Sequence, residues 1–518
     1  MEITYFSAAG IFPFFMGMFF LILSIFFFLK NKQKTALYVV FFCSLSMGFF
    51  IANLDPFLSI WDEQFHALVA KNMAETPFMP RLYPTPVLEY DYLNWTHNYI
   101  WLHKQPLFLW QMALSIKIFG ATELAVRIPS ILMVAFASVM VYRIGKIAHS
   151  ERVGFYGALF FTCLNYTLEL ITGEHTTDHN DIAFLFYMTA TFWAWFEYQN
   201  KKSNYWLLLI GLFSGCAILV KWLVGLLIYG VWFLTIGEKN WKEFLKIRNY
   251  YPLLIAFGIT LCVFLPWQFF ILSAYPKEAA HEFSYNTLHF YQPVEGHGGD
   301  WMFHFDAIKE IYGAGTLIPF ILLIGLFFLI KDAREKKYRI VILASIVVIY
   351  AFFTIAATKM MSFCYVVAPF ALLAIAALTD KIIHWVVTKI RYRWFNYSFT
   401  CGIILIFCYS LINMPRIVER HVELKGAANA YRAGDLELMA FIKKLPAQLK
   451  DQKYVIFTTE HRLKSNIPIM FYTDYIAYDF IPTPEQLEQA WEKSYDVAVV
   501  DNGELPDYIC DDARILKL

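Results

Sequence analysis

Charge is what this sequence has least of. Only 16% of its 518 residues are Lys, Arg, Asp or Glu, and the two signs all but cancel, with 43 basic against 42 acidic. A chain so balanced has no basic face from which to displace counterions from phosphates, which excludes a nucleic-acid partner. Cysteine is scarce as well. Seven of the eight (Cys43, Cys163, Cys216, Cys262, Cys364, Cys401 and Cys408) lie in apolar stretches, where they behave as small hydrophobes. Cys510 stands apart from them, so no disulfide framework is implied. CxxC and HExxH spacings are missing, as are internal repeats and low-complexity tracts. The first apolar run has no basic residue ahead of it and outruns a signal-peptide core, so it is expected to be an anchor.

What the chain has in abundance is apolar surface, 58% of residues being hydrophobic and 19% aromatic. Stretches able to cross about 30 Å of hydrocarbon recur at 5–29, 36–54, 128–146, 153–171, 182–198, 205–220, 222–236, 251–273, 313–330, 340–357, 363–379 and 397–414, about twelve in all. The stretch 104–119 is shorter and polar at its start, and is expected to be a re-entrant or interfacial helix. Basic clusters (Lys30 to Lys34, Arg143 to Arg152, Lys201/Lys202, Lys239 to Arg248, Lys331 to Arg339, Lys381 to Arg393) occupy every second loop. By the positive-inside rule these loops are cytoplasmic. The segments 55–104 and 274–312 and everything after Met414 then face the other side. The expected fold is an α-helical polytopic membrane protein over 1–414, followed by a small extramembrane α/β domain over 415–518. In that domain 453–459 and 495–501 read as strands and 484–491 as a helix between them. It carries no phosphate loop or acid–base constellation, which leaves a structural or acceptor-docking role. In 55–104, Pro77, Pro80, Pro84 and Pro86 exclude a long helix.

Against this apolar background a few polar residues stand out. Asp62 and Glu63, in Trp61-Asp-Glu-Gln-Phe-His66, follow a membrane segment directly, where carboxylates are costly to place. They point to a catalytic pair, with Asp62 as base and Glu63 in support, or to a solvated helix start favoured by the dipole. Lys104, ahead of Pro106 at a helix start, is a phosphate-binding lysine or a snorkelling one. Lys221 has no other charge for at least sixteen residues on either side, which marks a cavity, a tight turn or an anionic ligand. Asp178 and Asp181, in a turn before an apolar run, could close the site of Asp62 or cap the next helix. The stretch 274–312 brings His281, His289, His297 and Asp300 at spacings that fit substrate contacts better than a structural metal. Lys359 is another lone cation at a helix junction.

In their order along the chain, Trp61-Asp-Glu63, Met79-Pro-Arg-Leu82, Lys104-Gln-Pro-Leu107, Phe119-Gly120, Ala125-Val-Arg-Ile-Pro129, Asp181, Leu219-Val-Lys221, Leu265-Pro-Trp267, residues 286–290 with Gly296-His297, and Thr358-Lys359 to Pro369 resemble GT-C glycosyltransferases. The bacterial branch around the aminoarabinose transferase ArnT and the protein O-mannosyltransferases is the nearest group, and the resemblance covers roughly 55–380. It implies transfer of a sugar from a polyprenyl-phosphate donor to a lipid, glycan or protein acceptor. The transfer is expected to invert the anomeric centre, on the periplasmic face of a bacterial inner membrane. By motif position Asp62 is the implied base and Asp181 a second acid, with Lys104 and Lys221 on the donor phosphate. Arg81, Asp178, His297 and Lys359 complete the substrate-binding set. Two positions depart from the ArnT pattern. Phe65 and His66 stand where an arginine and a tyrosine are usual, and His103 replaces a glutamate implicated in binding a divalent metal. They point to another sugar or acceptor than ArnT's. The alternatives from other classes are a transporter or flippase for lipid-linked glycans and a non-catalytic binding subunit. A transporter calls for inverted repeats and midplane charges, which this sequence does not show.

Overall fold

The computed structural model describes residues 8–175, 178–313, 315–390, 392–419, 427–449, 453–458, 465–501 and 503–518. Thr177, ahead of the Asp178 turn, and Thr459, at the end of the first expected strand, lie outside them. The chain is a polytopic helical membrane protein. Its helices are α1 (Ala8–Leu29), α2 (Gln33–Ala52), α3 (Asp62–Glu75), α4 (Pro106–Phe119), α5 (Glu123–Ala148), α6 (Glu151–Cys163), α7 (Asn165–Ile171), α8 (Asp178–Lys201), α9 (Asn204–Lys221), α10 (Leu227–Ile236), α11 (Tyr251–Ala274), α12 (Pro276–Tyr291), α13 (Phe303–Tyr312), α14 (Ile318–Lys331), α15 (Lys336–Ile355), α16 (Ala368–Val387) and α17 (Arg393–Ile412).

Each of the twelve apolar stretches is helical over most of its described residues. Among the described residues, eight helices are long and apolar enough to cross a membrane by length and composition. The lower count has two causes. Asn204–Ile236 counts as one 33-residue span although a 3-10 turn at Trp222–Leu226 breaks it. In addition, α6, α7 and α14 are short, and α8 carries acids in its first turn. Close helix contact is made by small residues: a Cβ on Gly154 would stand 2.4 Å from the Tyr142 carbonyl oxygen, so α5 and α6 touch backbone to backbone there. The segment 274–312 is mostly helical, as α12 and α13, and Pro276 in the first turn of α12 fits its start.

Beyond α17 the chain folds into a four-stranded parallel sheet of β1 (Tyr454–Phe457), β2 (Ile476–Tyr478), β3 (Asp496–Val499) and β4 (Ile515–Lys517), in the order β2-β1-β3-β4. The helix Pro484–Glu492 precedes β3 and starts with a capping box between Thr483 and Gln486. This α/β module rests on the segment between α3 and α4. Tyr83 and Tyr478 stack at 5.0 Å, the Leu88 amide donates to the Tyr478 hydroxyl at 3.1 Å, and Lys493 Nζ donates to the Val87 carbonyl at 2.6 Å. Lys71, on α3, donates to the Met470 and Thr473 carbonyls at 3.0 and 2.7 Å.

Candidate active site

Five helix ends converge on one cavity of about 570 Å³. Trp61 and Asp62 come from the start of α3, and Trp95, His103, Lys104 and Gln105 from the segment leading into α4. Asn180 comes from the first turn of α8, Lys221 and Trp222 from the end of α9, and Asn286, His289, Glu295 and His297 from α12 and the loop behind it. Met360 and Phe363, beyond α15, close the ring. Helix termini suit this work because their side chains aim into a shared space while the helices stay apart. The backbone is forced to do it: Trp61, Trp222 and Glu295 all sit at positive φ, at 71°, 56° and 56°. Each such residue without glycine's freedom costs about 1–2 kcal/mol, and strain of this kind gathers at functional sites.

The cavity is polar on one side and runs into an apolar groove on the other. A second space of about 720 Å³ shares Lys221, Trp222, Asn286, His289 and Phe363 with it, and continues along Leu223, Leu226, Phe290, Phe352 and Phe353. At the junction Lys221 pairs with buried Asp181 and lies 4.8 Å from the centre of the Phe363 ring. Lys104 Nζ donates to His103 Nε2 at 3.3 Å. Both histidines beside these lysines are held neutral. Burial first, then the Lys104 charge, presses His103 below its ordinary value and brings His289 down to about 4.

Of the residues singled out from the sequence, Asp62, Lys104, Lys221, His289, His297 and His103 line the cavity, Asp181 joins it through Lys221, and His281 and Asp300 are not on its wall. Four others lie elsewhere, each for a visible reason. Glu63, fully buried, turns away into an ion pair with Arg127 of α5, whose Nε and Nη2 donate at 2.8 and 3.0 Å. Burial alone would raise the Glu63 carboxyl, but Arg127, with His179 3.2 Å away, overrides it and holds the group at about 2. Arg81 donates to the Pro84 carbonyl at 2.8 Å and to Thr76 at 3.1 Å, so it braces its own loop. Asp178 accepts from His66 Nδ1 at 3.0 Å and caps the His179 amide. Lys359 gives its ammonium to the carbonyls of Phe353, Thr354 and Ala356, closing the end of α15. The divalent metal expected at His103 is not supported. Its neighbours Glu282 and Glu295 stand 3.4 and 3.9 Å away, the Lys104 ammonium competes for Nε2, and no three His, Cys, Asp or Glu side chains among the described residues could hold a metal ion.

Several contributors were not singled out in the sequence: Trp95, Asn180 and Glu295 on the cavity wall, with Asn286 marked only as the start of the 286–290 motif, and Arg127 behind it. Arg127 falls inside the Ala125-Val-Arg-Ile-Pro129 motif, which marks the position without giving its partner.

Comparison with known proteins bears on this architecture. Residues 103–270 match a family model described as dolichyl-phosphate-mannose-protein mannosyltransferase. An uncharacterised protein of Aquifex aeolicus (strain VF5) is 30% identical over 206 residues, which span 38% of each chain. The crystal structure of ArnT from Cupriavidus metallidurans bound to undecaprenyl phosphate superposes with a TM-score of 0.59 at 14% identity, over 90% of this chain and 88% of that one. The chain has the GT-C fold. The archaeal oligosaccharyltransferase AglB from Archaeoglobus fulgidus, in complex with an inhibitory peptide and a dolichol-phosphate, aligns at 0.54 and 12% identity, over 88% of this chain and 65% of its own length. The GT-C fold and its resemblance to the ArnT and mannosyltransferase group, both expected from the motifs at 55–380, are therefore present.

Proposed function

We propose that this protein is a membrane glycosyltransferase that moves a sugar from a polyprenyl-phosphate donor onto a hydroxyl-bearing lipid, glycan or protein acceptor. The observation that carries this proposal is the joined pair of spaces: a polar cavity holding Asp62, Lys104 and Lys221, opening through Lys221 and Phe363 into an apolar groove. A molecule with a charged head and a long hydrocarbon tail matches that profile. The relatives agree in kind, since the ArnT structure holds undecaprenyl phosphate and the AglB structure a dolichol-phosphate.

The chemistry needs few groups. Asp62 takes the proton of the acceptor hydroxyl as its oxygen attacks the anomeric carbon. The bond from that carbon to the phosphate oxygen breaks, and the lipid phosphate leaves with both electrons, its charge met by Lys104 and Lys221. Asp181 holds Lys221 in place. A single displacement inverts the anomeric centre. With the basic loops cytoplasmic, the reaction runs on the outer face. The test is turnover in nanodiscs with a set of radiolabelled undecaprenyl-phosphate sugars and a membrane-lipid extract. Asp62→Asn is expected to lower kcat by about 10²–10⁴, and Lys221→Ala by about 10²–10³. Full turnover in Asp62→Asn would overturn the assignment.

A further inference from the structure

At the far end of the bundle from the cavity lies a pocket of about 320 Å³, within the range of small-ligand sites. Helix α9 sets the separation: its 18 residues, about 27 Å at 1.5 Å per residue, run from Asn204, two positions past Lys202 of this pocket, to Lys221 in the cavity. The pocket is walled by Lys202, Lys239, Arg248 and Lys337, against two carboxylates, Glu238 and Glu243. Glu243 is already bound to Lys246 at 2.5 Å, and Lys337 to Glu335 at 2.7 Å. Lys202, Lys239 and Arg248 form no ion pair among the described residues. Lys202 itself sits in the left-handed region (φ 53°), and its ammonium is oriented by Gln199 at 2.6 Å and by the Tyr198 ring. Burial, then the nearby charge of Lys337, presses its ammonium below the ordinary lysine value, a pressure an anion would relieve.

The rim identifies what kind of anion reaches it. The segment 241–248 alternates exposed apolar residues, Trp241, Leu245 and Ile247, with Lys242, Lys246 and Arg248. A short amphipathic piece of this composition lies in the headgroup layer, with its apolar side chains toward the acyl region. The pocket floor continues that apolar surface through Trp232 and Pro252.

We propose that this pocket binds the phosphate of an anionic glycerophospholipid, its acyl chains running out past Trp241 and Leu245. The site is independent of the transfer reaction and sits in the leaflet that the basic loops assign to the cytoplasm, where anionic headgroups attract such clusters. Native mass spectrometry of the full chain in detergent, titrated with phosphatidylglycerol, phosphatidylcholine or inorganic phosphate, tests it. The expected result is retention of phosphatidylglycerol over phosphatidylcholine. Binding should weaken by about tenfold or more in Lys202→Gln/Arg248→Gln and stay unchanged in Lys30→Gln/Lys32→Gln, which removes two exposed charges elsewhere. If the first variant shows no melting transition, Lys239→Gln/Lys337→Gln carries the same expectation. Equal weakening in the control pair would leave only general charge attraction and overturn the site. So would phosphatidylcholine bound as tightly, or free phosphate displacing the lipid.

Discussion

Asp62 and Glu63 are adjacent in the first turn of α3, yet one faces the cavity and the other faces Arg127. Their neighbourhoods predict different failures. Breaking the buried pair through Arg127→Met leaves an uncompensated charge and is expected to cost about 3–5 kcal/mol. Arg127→Met combined with Glu63→Gln should recover part of that loss, read as the thermal midpoint in detergent. The sign of the pH dependence follows from the same contact. Because Glu63 is held at about 2, below an ordinary glutamate, its ionised form stabilises the fold fully above the ordinary value. That contribution fades as pH falls through about 2, so the acid-induced loss of stability should be shallower in Glu63→Gln than in the wild type. The sequence could announce both carboxylates but not separate them. What divides them is a guanidinium 64 residues away, and no local pattern encodes that. Lys359 was equally legible as a lone cation and equally mute about its partners, which are the carbonyls of its own helix end.

Among the elements, α9 and α10 define the site by being two helices where hydropathy offers one long span. The lone lysine at 221 gave that break away, since a charge so deep in apolar sequence requires a turn or a cavity beside it. Helix α12 was hidden because its histidines and aromatics read as loop chemistry, although Pro276 marked its start. The strands β2 and β4, three residues each, are too short to leave a period-2 trace, while β1 and β3 stood out as apolar runs. Packing between α5 and α6 gives a prediction at this scale. A Cβ at Gly154 would press on the Tyr142 carbonyl oxygen and, at 2.8 Å, on the Lys146 amide, both backbone atoms that cannot step aside. Gly154→Ala is expected to destabilise the bundle by about 1–3 kcal/mol, measured as a lower melting temperature with the far-UV spectrum unchanged.

Across the whole molecule, the α/β module pins down the segment that carries Trp95, His103 and Lys104 into the cavity. The contacts are few and specific: Tyr83 on Tyr478, Lys493 on the Val87 carbonyl, and His97 Nε2 to Asp479 at 2.9 Å. Tyr478→Ala with Lys493→Ala is expected to leave the helical bundle intact while making the 77–99 segment several-fold faster to cut in limited proteolysis. Unchanged cleavage would mean that the segment holds itself. Leu88 and Tyr478 lie 390 positions apart. At a ribosomal pace of about 5–20 residues per second, the loop therefore waits roughly 20–80 s for its cover. During synthesis the helices can enter the bilayer in order, but the mouth of the cavity stays unfinished until the strands have emerged. A nascent chain of this protein holds a membrane domain before it holds a site.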